Sequence, residues 1–433
     1  MFDEKNVLQV LAEQKSDLSL YQNAKFVTRS EESLFEFDGN LAQIVTGVRR
    51  SGKSTLCHKV LTERGVKYGF VNMDDDRLAD IKVGDLNSLL SCIYQIYGAD
   101  IEYLFLDEIQ DVDGWYLFVN RLLRSNLHLF ITGSNAKLLS GELATHLTGR
   151  YNEIRLYPFS FTEYCLFHNI DTKGITTKEE AICKQAFLNY LQNGGLPELQ
   201  KMRNKRGYSF SLVEAIITKD IQKRFKIRNI DALRKIANIL ISNSCQEINY
   251  AEISKTLQIG DKTVKNYVDY LRQAFLIQMV HSHSFKVKER LRNPKSYVVD
   301  TGLKNNLDNN LAQENIGWRM ENVVYLELLR RSAYRFLDIF YYKPTSQDKE
   351  VDFVLCDRDR AVSLIQVAFD ISSPRTFNRE TSALVKASKK LNCDNLTLIT
   401  FSDSRDVVCD GRKIKIIPAL DWLLEDGKDT VAL

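Results

Sequence analysis

A glycine-rich turn followed by Lys-Ser is the part of this chain whose residue types and spacing most clearly suit chemistry. A short apolar run, residues 44–46, leads into Gly47-Val48-Arg49-Arg50-Ser51-Gly52-Lys53-Ser54-Thr55, and helical spacing follows. Gly47 and Gly52 can adopt backbone angles that are closed to other residues, so the N–H groups between them can turn toward an anion. The pattern, placed between a strand and a helix, predicts a phosphate-binding loop.

The side chains after the second glycine suit a triphosphate and its metal ion. Lys53 can reach the β- and γ-phosphates, and the Ser54 hydroxyl can hold Mg²⁺. The N-terminal end of the following helix adds a favourable environment for negative charge. A plain glycine-rich surface turn is the alternative, and the flanking strand and helix argue against it. We therefore expect ATP and Mg²⁺ as ligands, with the backbone of residues 47–55 as the cradle.

Two adjacent acids end an apolar strand about fifty residues downstream of this loop. The strand is predicted over residues 103–106, and Asp107 and Glu108 follow it directly. In nucleoside triphosphatases of this build, the first acid holds Mg²⁺ directly or through water, and the second polarises the attacking water. Successive side chains on a strand point in opposite directions, so both acids can serve only at the strand end. The sequence places them there.

Two further polar positions fall beside predicted strands. Ser134 and Asn135 follow the apolar strand 127–132, where a polar side chain either contacts the γ-phosphate and orients water or caps the next helix. Arg150 directly precedes the predicted strand 151–156. It suits an arginine finger acting in cis or in trans on the γ-phosphate. A plain surface arginine is the alternative at that position.

Taken in order, these motifs resemble those of the AAA+ ATPases. Further segments resemble the archaeal-type predicted ATPase family with a C-terminal restriction-endonuclease-like domain, from about residue 20 onward; they are Tyr157–Tyr164, Gly194–Glu198, Lys219–Ile221, Glu321–Val324 and Glu350–Phe353. The resemblance implies an α/β phosphate-loop core and a helical lid in which Pro197 lies against the adenine. From chemistry alone, the Gly-Gly-Leu-Pro stretch predicts only a loop.

The predicted organisation is four closely joined parts. Residues 1–165 are expected to form the AAA+-like core with N-terminal helices, and residues 166–240 the helical lid. Residues 241–295 are expected to form a winged helix, and residues 296–433 an α/β restriction-endonuclease-like domain.

A helix-turn-helix pattern begins near residue 248. Two helices, 248–257 and 262–271, flank a short turn, and Lys262 and Lys265 are predicted on the outward face of the second. A following hairpin would form a wing that carries basic residues: Lys286, Lys288, Arg290, Arg292 and Lys295. This arrangement favours contact with the backbone of double-stranded DNA. A winged helix that serves only in packing is the alternative left open.

The spacing of the last domain is similar to that of the PD-(D/E)XK nucleases, whose acids bind Mg²⁺ while a lysine helps to activate water. Glu321 and Asp352 stand at two of the acidic positions. The third element reads Gln366-Val367-Ala368, where that family has an acid, a spacer and a lysine. Without the acid, metal binding is weaker, and without the lysine, the activation of water is weaker. We expect a retained binding fold rather than active cleavage, although Lys343 or Lys349 could substitute for the lysine.

Composition narrows the class of protein. A net charge of +3 over 433 residues gives no overall field for nucleic acid, so DNA contact would need a local patch. No apolar run approaches a membrane span, and the cysteines lack metal-ligand spacing. We expect a cytoplasmic Mg²⁺-dependent ATPase that couples ATP hydrolysis to DNA-linked or assembly activity. A homo-oligomer is compatible with this expectation. A nucleotide-switched signalling scaffold and an ATP-dependent DNA nuclease are the alternatives.

Overall fold

The computed structural model describes residues 3–22, 26–125, 127–134, 147, 149–284, 293–306, 316–344 and 349–425. Their backbone contacts divide the chain into two compact units. The first comprises Met1–Leu156 with Gln273–Phe275, and the second comprises Tyr157–Arg272 with Leu276–Leu433. None of the described helices combines the length and apolar character that crossing a lipid bilayer requires.

The first unit alternates strands with helices. Its helices are α1 (Glu4–Asp17), α2 (Ser19–Gln22), α3 (Lys53–Glu63), α4 (Leu86–Tyr97) and α5 (Trp115–Leu123). Its strands are β1 (Ala42–Thr46), β2 (Tyr68–Asn72), β3 (Tyr103–Asp107), β4 (His128–Gly133) and β5 (Tyr151–Arg155). Short 3₁₀ helices cover Ser30–Leu34, Asp76–Leu78, Val83–Asp85 and Ile109–Asp111.

A parallel sheet forms the centre of this unit. Among the described residues its strand order is β2-β3-β4-β1-β5. Strands β1 and β3 are buried along their whole length, as expected for a parallel sheet covered on both faces. The ladder aligns Asp107 of β3 with Thr132 of β4, and Thr46 of β1 with Gly133 of β4. The carboxyl ends of three neighbouring strands therefore meet at one edge, where the phosphate loop begins.

The second unit begins with a helical region. Its helices are α6 (Phe161–Phe167), α7 (Thr177–Asn193), α8 (Pro197–Lys201), α9 (Lys205–Ala215), α10 (Ile230–Ser242), α11 (Tyr250–Leu257) and α12 (Asp261–Gln273), with a π-helix at Ile216–Gln222. Strands β6 (Gln246–Glu247), β7 (Ile277–Ser282) and β8 (Lys295–Val298) follow or intervene, and a 3₁₀ helix covers Thr301–Asn306.

The rest of the second unit is mixed α/β. It contains α13 (Ile316–Ala333), β9 (Asp338–Tyr342), β10 (Val351–Asp357), β11 (Arg360–Ala368), α14 (Pro374–Leu391), β12 (Leu396–Thr400), β13 (Arg405–Cys409), β14 (Arg412–Pro418) and α15 (Ala419–Leu424). Strand β13 is absent from the sequence prediction; each of its residues is exposed or half-buried, and its apolar run, Val407–Cys409, is only three residues long.

One sheet runs through both parts of the second unit. Within the described residues, the order is β13-β14-β12-β11-β10-β9-β7-β8-β6. Strand β7 pairs in parallel with β9, so that His281 lies opposite Phe340. The hydrogen-bonded ladder thus crosses the predicted boundary at residue 295. The division into a winged helix and a C-terminal domain stays a prediction.

The two glycines of the Gly-Gly-Leu-Pro motif meet a buried aspartate. Asp300 accepts hydrogen bonds from the backbone N–H of Gly195 at 2.7 Å and of Gly302 at 2.8 Å. Gly194 has a φ of +70°, and a Cβ there would collide with the Asp300 carboxylate. At Gly195, a Cβ would collide with the carbonyl oxygen of Phe159. Close backbone approach inside the second unit therefore explains why both positions hold glycine.

Replacing Gly195 with alanine should destabilise the protein by about 2–3 kcal/mol, because backbone atoms must shift to admit the methyl group. Thermal unfolding of Gly195→Ala measures the effect. Gly260→Ala is the matched control, since no heavy atom lies within 4 Å of a Cβ at Gly260. Equal melting temperatures for the two variants would contradict this account of the motif.

Candidate nucleotide-binding site

The loop between β1 and α3 is built from residues with unusual backbone angles. Gly47, Arg50 and Gly52 have φ values of +152°, +69° and +96°. A Cβ at Gly47 would collide with the carbonyl oxygen of Leu156, so the close approach of the two segments requires glycine. Gly52 precedes the first residue of α3 and accepts a hydrogen bond from the Leu56 N–H at 2.9 Å. The loop therefore ends at a helix N-terminus, the arrangement that favours phosphate.

Lys53 lies inside the loop rather than in solvent. Its side chain is buried, and its ammonium donates to the carbonyl oxygens of Gly47 at 3.3 Å and Val48 at 3.2 Å. From the N-terminal segment, the buried Arg29 guanidinium donates to the Ser51 carbonyl at 3.4 Å. Two cations thus lie against the backbone of the predicted phosphate cradle.

Asp107 is the point where three elements converge on the loop. Its Oδ1 accepts a hydrogen bond from the Ser54 hydroxyl at 2.9 Å and another from the Thr132 hydroxyl. Ser54 comes from α3, Asp107 from β3, and Thr132 from β4, the strand between β3 and β1. The hydroxyl and the carboxylate that the sequence assigns to Mg²⁺ are therefore in direct contact.

The environment of Asp107 opposes its ionisation. Burial raises its pKa from 3.8 to about 6, and the negative charge of Glu108 adds to the increase. Hydrogen bonds from Thr132 and Ser54 and the charge of Lys53 act in the opposite direction. A divalent cation at this point would favour the ionised form, because it would compensate the buried negative charge.

Glu108 leaves the strand instead of continuing it. Its φ is +55°, in the left-handed region, and its backbone N–H donates to the Thr132 carbonyl at 3.2 Å. The half-buried side chain accepts hydrogen bonds from the Gln110 amide and from the Ser134 N–H, the latter at 3.3 Å. A left-handed non-glycine residue is uncommon, and such conformations concentrate at functional sites. The turn places both acids at the same sheet edge.

Thr132, Gln110 and Arg29 contact this site but are absent from the sequence prediction. Thr132 carries a detectable signal, because it is a polar residue near the end of a mostly apolar strand, and the ladder aligns it with Asp107. Gln110 and Arg29 carry none, since their contacts depend on a 3₁₀ turn and on a segment far from the motif in sequence.

The remaining predicted residues of the loop region differ in their exposure to solvent. Ser134 is buried, whereas Arg150 is exposed in the turn before β5, where its carbonyl accepts from the Ala42 N–H at 3.1 Å. Asn135 lies outside the described residues. Along the loop, Val48 and Ser51 are buried, Arg49, Ser54 and Thr55 are half-buried, and Arg50 is exposed. Pro197 belongs to the second unit, where it is the first residue of α8.

The predicted DNA-contacting lysines lie on an amphipathic helix. Lys262 and Lys265 are exposed on α12, whose other face is buried through Val264, Val268 and Leu271. The predicted wing residues Lys286, Lys288, Arg290 and Arg292 lie outside the described residues. The prediction that Lys295 belongs to the basic wing surface is wrong, because the structure buries Lys295 among carboxylates. Its charge is satisfied internally and is not presented to solvent.

The three residues of the predicted degenerate nuclease site do come together. Glu321 on α13, Asp352 on β10 and Gln366 on β11 are all buried. Gln366 accepts a hydrogen bond from the Asp352 N–H at 3.2 Å, and Lys295 links Glu321 to Asp352. Lys343 and Lys349, the predicted substitutes for the missing lysine, instead contact Glu247 and Ser382 at 2.9 and 3.1 Å.

Family comparisons support the ATPase core. Residues 39–165 match the family described as AAA domain. Residues 184–314 and 317–422 match two families described as domains of unknown function, DUF8612 and DUF4143. The predicted AAA-type core is thereby confirmed, whereas the winged helix and the restriction-endonuclease-like domain stay predictions.

Relatives of similar length occur in distant organisms. Uncharacterized protein MJ1544 of Methanocaldococcus jannaschii is 32% identical over 424 residues, which cover 94% of this chain and 93% of the relative. An uncharacterized protein of Haemophilus influenzae is 31% identical over 412 residues, which cover 91% of this chain and 97% of the relative.

Among solved structures, a Walker-type ATPase of Pyrococcus abyssi aligns with a TM-score of 0.43 at 14% identity, over 65% of this chain and 96% of that one. A similarity this weak defines no shared function. The full-length match to the archaeal relative is decisive: the chain belongs to the family of MJ1544 and carries an AAA-type P-loop ATPase domain at residues 39–165.

Proposed function

We propose that the protein is a Mg²⁺-dependent ATPase that couples ATP hydrolysis to an activity on DNA or to its own assembly. The contact that carries the proposal is the 2.9 Å hydrogen bond between the Ser54 hydroxyl and Asp107. It joins the hydroxyl that follows the phosphate-loop lysine to the acid at the end of β3. In phosphate-loop enzymes, a hydroxyl and an acid in these positions hold the same metal ion.

The residues present fit ATP and Mg²⁺. A hydroxyl and a carboxylate are hard oxygen donors of the kind that Mg²⁺ prefers, and phosphate oxygens complete such a shell. Lys53 and the N-terminus of α3 supply positive potential for the phosphates, with residues 47–55 as the backbone cradle. When bound, Mg²⁺ neutralises developing charge on the transferred phosphoryl group.

Glu108 is the proposed base of the reaction ATP + H₂O → ADP + phosphate. The hydrogen bonds from Gln110 and Ser134 hold its carboxylate in one orientation at the sheet edge. A carboxylate fixed in this way can accept a proton from water as the oxygen attacks the γ-phosphate. Lys53 and Asp107 position the reactants and do not themselves exchange protons with the attacking water.

Three further roles complete the proposal. Asn135, which follows β4 by two residues in the sequence, would orient the attacking water, and Pro197 would contact the adenine. Arg150 is exposed beside β5, so its guanidinium is accessible to a neighbouring copy of the chain. This exposure supports an arginine finger acting in trans in a homo-oligomer.

DNA is the proposed partner of the α11–α12 region. Two helices joined by a short turn and followed by the antiparallel pair β7–β8 have the element order of a winged helix. Lys262 and Lys265 project from the solvent-facing side of the second helix. Their charges suit phosphate contacts, which are independent of base sequence.

Substitutions at the loop and at the strand end should separate binding from hydrolysis. Lys53→Ala should weaken ATP binding by about 100-fold or more, because a buried cation that pairs with the phosphates is lost. Glu108→Gln should bind ATP normally but turn over roughly 10²–10⁴-fold more slowly, because the amide cannot accept the proton.

Nucleotide titration and phosphate release measure these two effects. Glu102→Gln, an exposed position before the same strand, serves as the control and should match the wild type. Wild-type turnover in Glu108→Gln would remove this residue from the proposed role.

Stability without nucleotide should depend on pH through Asp107. The folded pKa of about 6 lies above the ordinary 3.8, so the contribution of this group to stability is present below 3.8 and is lost as pH rises through 6. Asp107→Asn should therefore gain stability relative to the wild type by roughly 1–2 kcal/mol between about pH 5 and about pH 7.5. Thermal unfolding at the two pH values measures the difference. A difference in stability between Asp107→Asn and the wild type that stays the same at both pH values would contradict the buried environment assigned to this acid.

Binding to duplex DNA should weaken steeply as the salt concentration rises. If each lysine contacts one phosphate, the double variant Lys262→Glu/Lys265→Glu should reduce the slope of log affinity against log salt concentration by about 2. Fluorescence anisotropy at several salt concentrations provides the measurement. Lys386→Glu/Lys390→Glu is the control, since both lysines are exposed on α14. Absent binding, or equal slopes for the two double variants, would refute the DNA role of α12.

A further inference from the structure

A buried lysine lies among the acids of the C-terminal part. The Lys295 ammonium is 3.2 Å from Glu321 Oε1 and 3.8 Å from Asp352 Oδ1, and it also forms an ion pair with Glu350 Oε1. Three carboxylates from α13, β10 and the segment before β10 therefore share one cation that comes from β8. Tyr297, on the same strand, donates its hydroxyl to Glu321 at 2.8 Å.

Hydrogen bonds hold the acids around Lys295 in fixed orientations. Asp352 Oδ2 accepts from the Val367 N–H at 2.9 Å, which leaves Oδ1 facing the lysine. Gln366 is held on both sides, because its carbonyl accepts from the Asp352 N–H and its amide donates to Glu380 at 2.8 Å. Lys295, Glu321 and Asp352 are each less than 10% exposed. These three groups therefore offer little surface for contact with a phosphodiester in solvent.

The charge of Lys295 is retained in this environment. Burial lowers its pKa, but the carboxylates of Glu321, Asp352 and Glu350 outweigh burial and raise the pKa well above its usual value. The ammonium therefore remains a permanent cation at neutral pH. A buried charge needs such partners, since an unpaired ion in the interior costs several kcal/mol.

This arrangement does not fit a divalent metal ion. Mg²⁺ binds carboxylate oxygens at roughly 2.0–2.1 Å, and a lysine ammonium among those oxygens would compete for the same space and add repulsive charge. Within the described part of the chain, no group of three or more His, Cys, Asp and Glu side chains is arranged to hold a metal ion. The resemblance to metal-dependent nucleases implies such an ion at Glu321 and Asp352, and the residues present disagree with it.

We propose that the Lys295 ammonium permanently takes the place of the metal ion. The nuclease-like site is then a buried ion-pair network of Lys295, Glu321, Glu350 and Asp352 that holds the surrounding elements together, and we call it the ion-pair lock. The lysine is the first residue of β8 and directly follows Pro294, whose carbonyl accepts from the Ile248 N–H at 2.9 Å. Its ion pairs connect the strand after the predicted wing to α13 and β10. The C-terminal part is then a module that holds this strand in place, without nucleolytic chemistry.

A second lysine extends the lock toward α11. Lys343 Nζ lies 2.9 Å from Glu247 Oε1 and 3.9 Å from Glu350 Oε2. Glu350 therefore contacts both Lys295 and Lys343, and the network reaches β6, which directly precedes α11. The acids of the site are thus used in joining elements of the second unit.

Binding of Mn²⁺ to the full-length chain without nucleotide tests the proposal. Electron paramagnetic resonance should show the same bound Mn²⁺ for the wild type and for Glu321→Gln/Asp352→Asn, because neither has a metal site here. Lys295→Met removes the cation and leaves the acids, so it should gain a bound Mn²⁺. Its melting temperature should fall by roughly 5–10 °C, because buried carboxylates lose their partner, and should recover partly with Mg²⁺.

The wild-type comparison keeps the test decisive if Lys295→Met does not fold. Bound Mn²⁺ in the wild type that disappears in Glu321→Gln/Asp352→Asn would overturn the proposal. So would Mg²⁺-dependent cleavage of plasmid DNA that requires Asp352, in which case Lys295 would be a catalytic lysine. A folded Lys295→Met variant with no gain of Mn²⁺ would also contradict it.

Discussion

The burial of one carboxylate, Asp107, constrains the first unit more than any other interaction. An acid inside a parallel sheet is unfavourable unless hydrogen bonds and cations compensate it. Ser54 and Thr132 donate the hydrogen bonds, and Lys53 supplies nearby charge. The helix after the loop and two neighbouring strands are therefore held in one relative position. That position suits the metal-bound triphosphate that we propose as the ligand.

The second unit follows the same physical rule with different chemistry. Asp300 is buried among backbone N–H groups that glycines make accessible, and Lys295 is buried among carboxylates. Breaking either set would leave a buried ionisable group without its partners, which is unfavourable, so each group fixes the elements around it. Asp300 joins the loop after α7 to the segment after β8, and Lys295 joins β8 to α13 and β10. The helical and α/β parts of this unit therefore share one polar framework.

Sequence patterns predicted the phosphate loop, the Asp-Glu strand end and the bounds of β3, β4 and β5 to within one residue. Parallel strands buried on both faces give apolar runs that end sharply, which is why β3 and its terminal acid were predictable. The glycine spacing of the loop is a local constraint, and local constraints are visible in sequence.

Two contacts between segments distant in sequence were not predicted, because no motif covers them. Lys295 belongs to a run of basic residues that suggests a solvent-facing wing, yet the sheet register turns it inward toward Glu321. By resemblance, the Gly-Gly-Leu-Pro stretch implied that Pro197 lies against the adenine in a helical lid. The need for glycine at positions 194 and 195 arises instead from Asp300 and Phe159. Glu321 lies on α13, 26 residues after Lys295, and Asp300 lies 105 residues after Gly195, so no local spacing rule connects these partners.

A high-resolution structure of the chain with Mg²⁺ and a non-hydrolysable ATP analogue tests the central claim most directly. We expect the ion at about 2.1 Å from Ser54 Oγ, with Asp107 bound to it directly or through one water. We also expect Lys53 to contact the phosphates. A triphosphate bound elsewhere, or an ion that contacts neither Ser54 nor Asp107, would contradict the account.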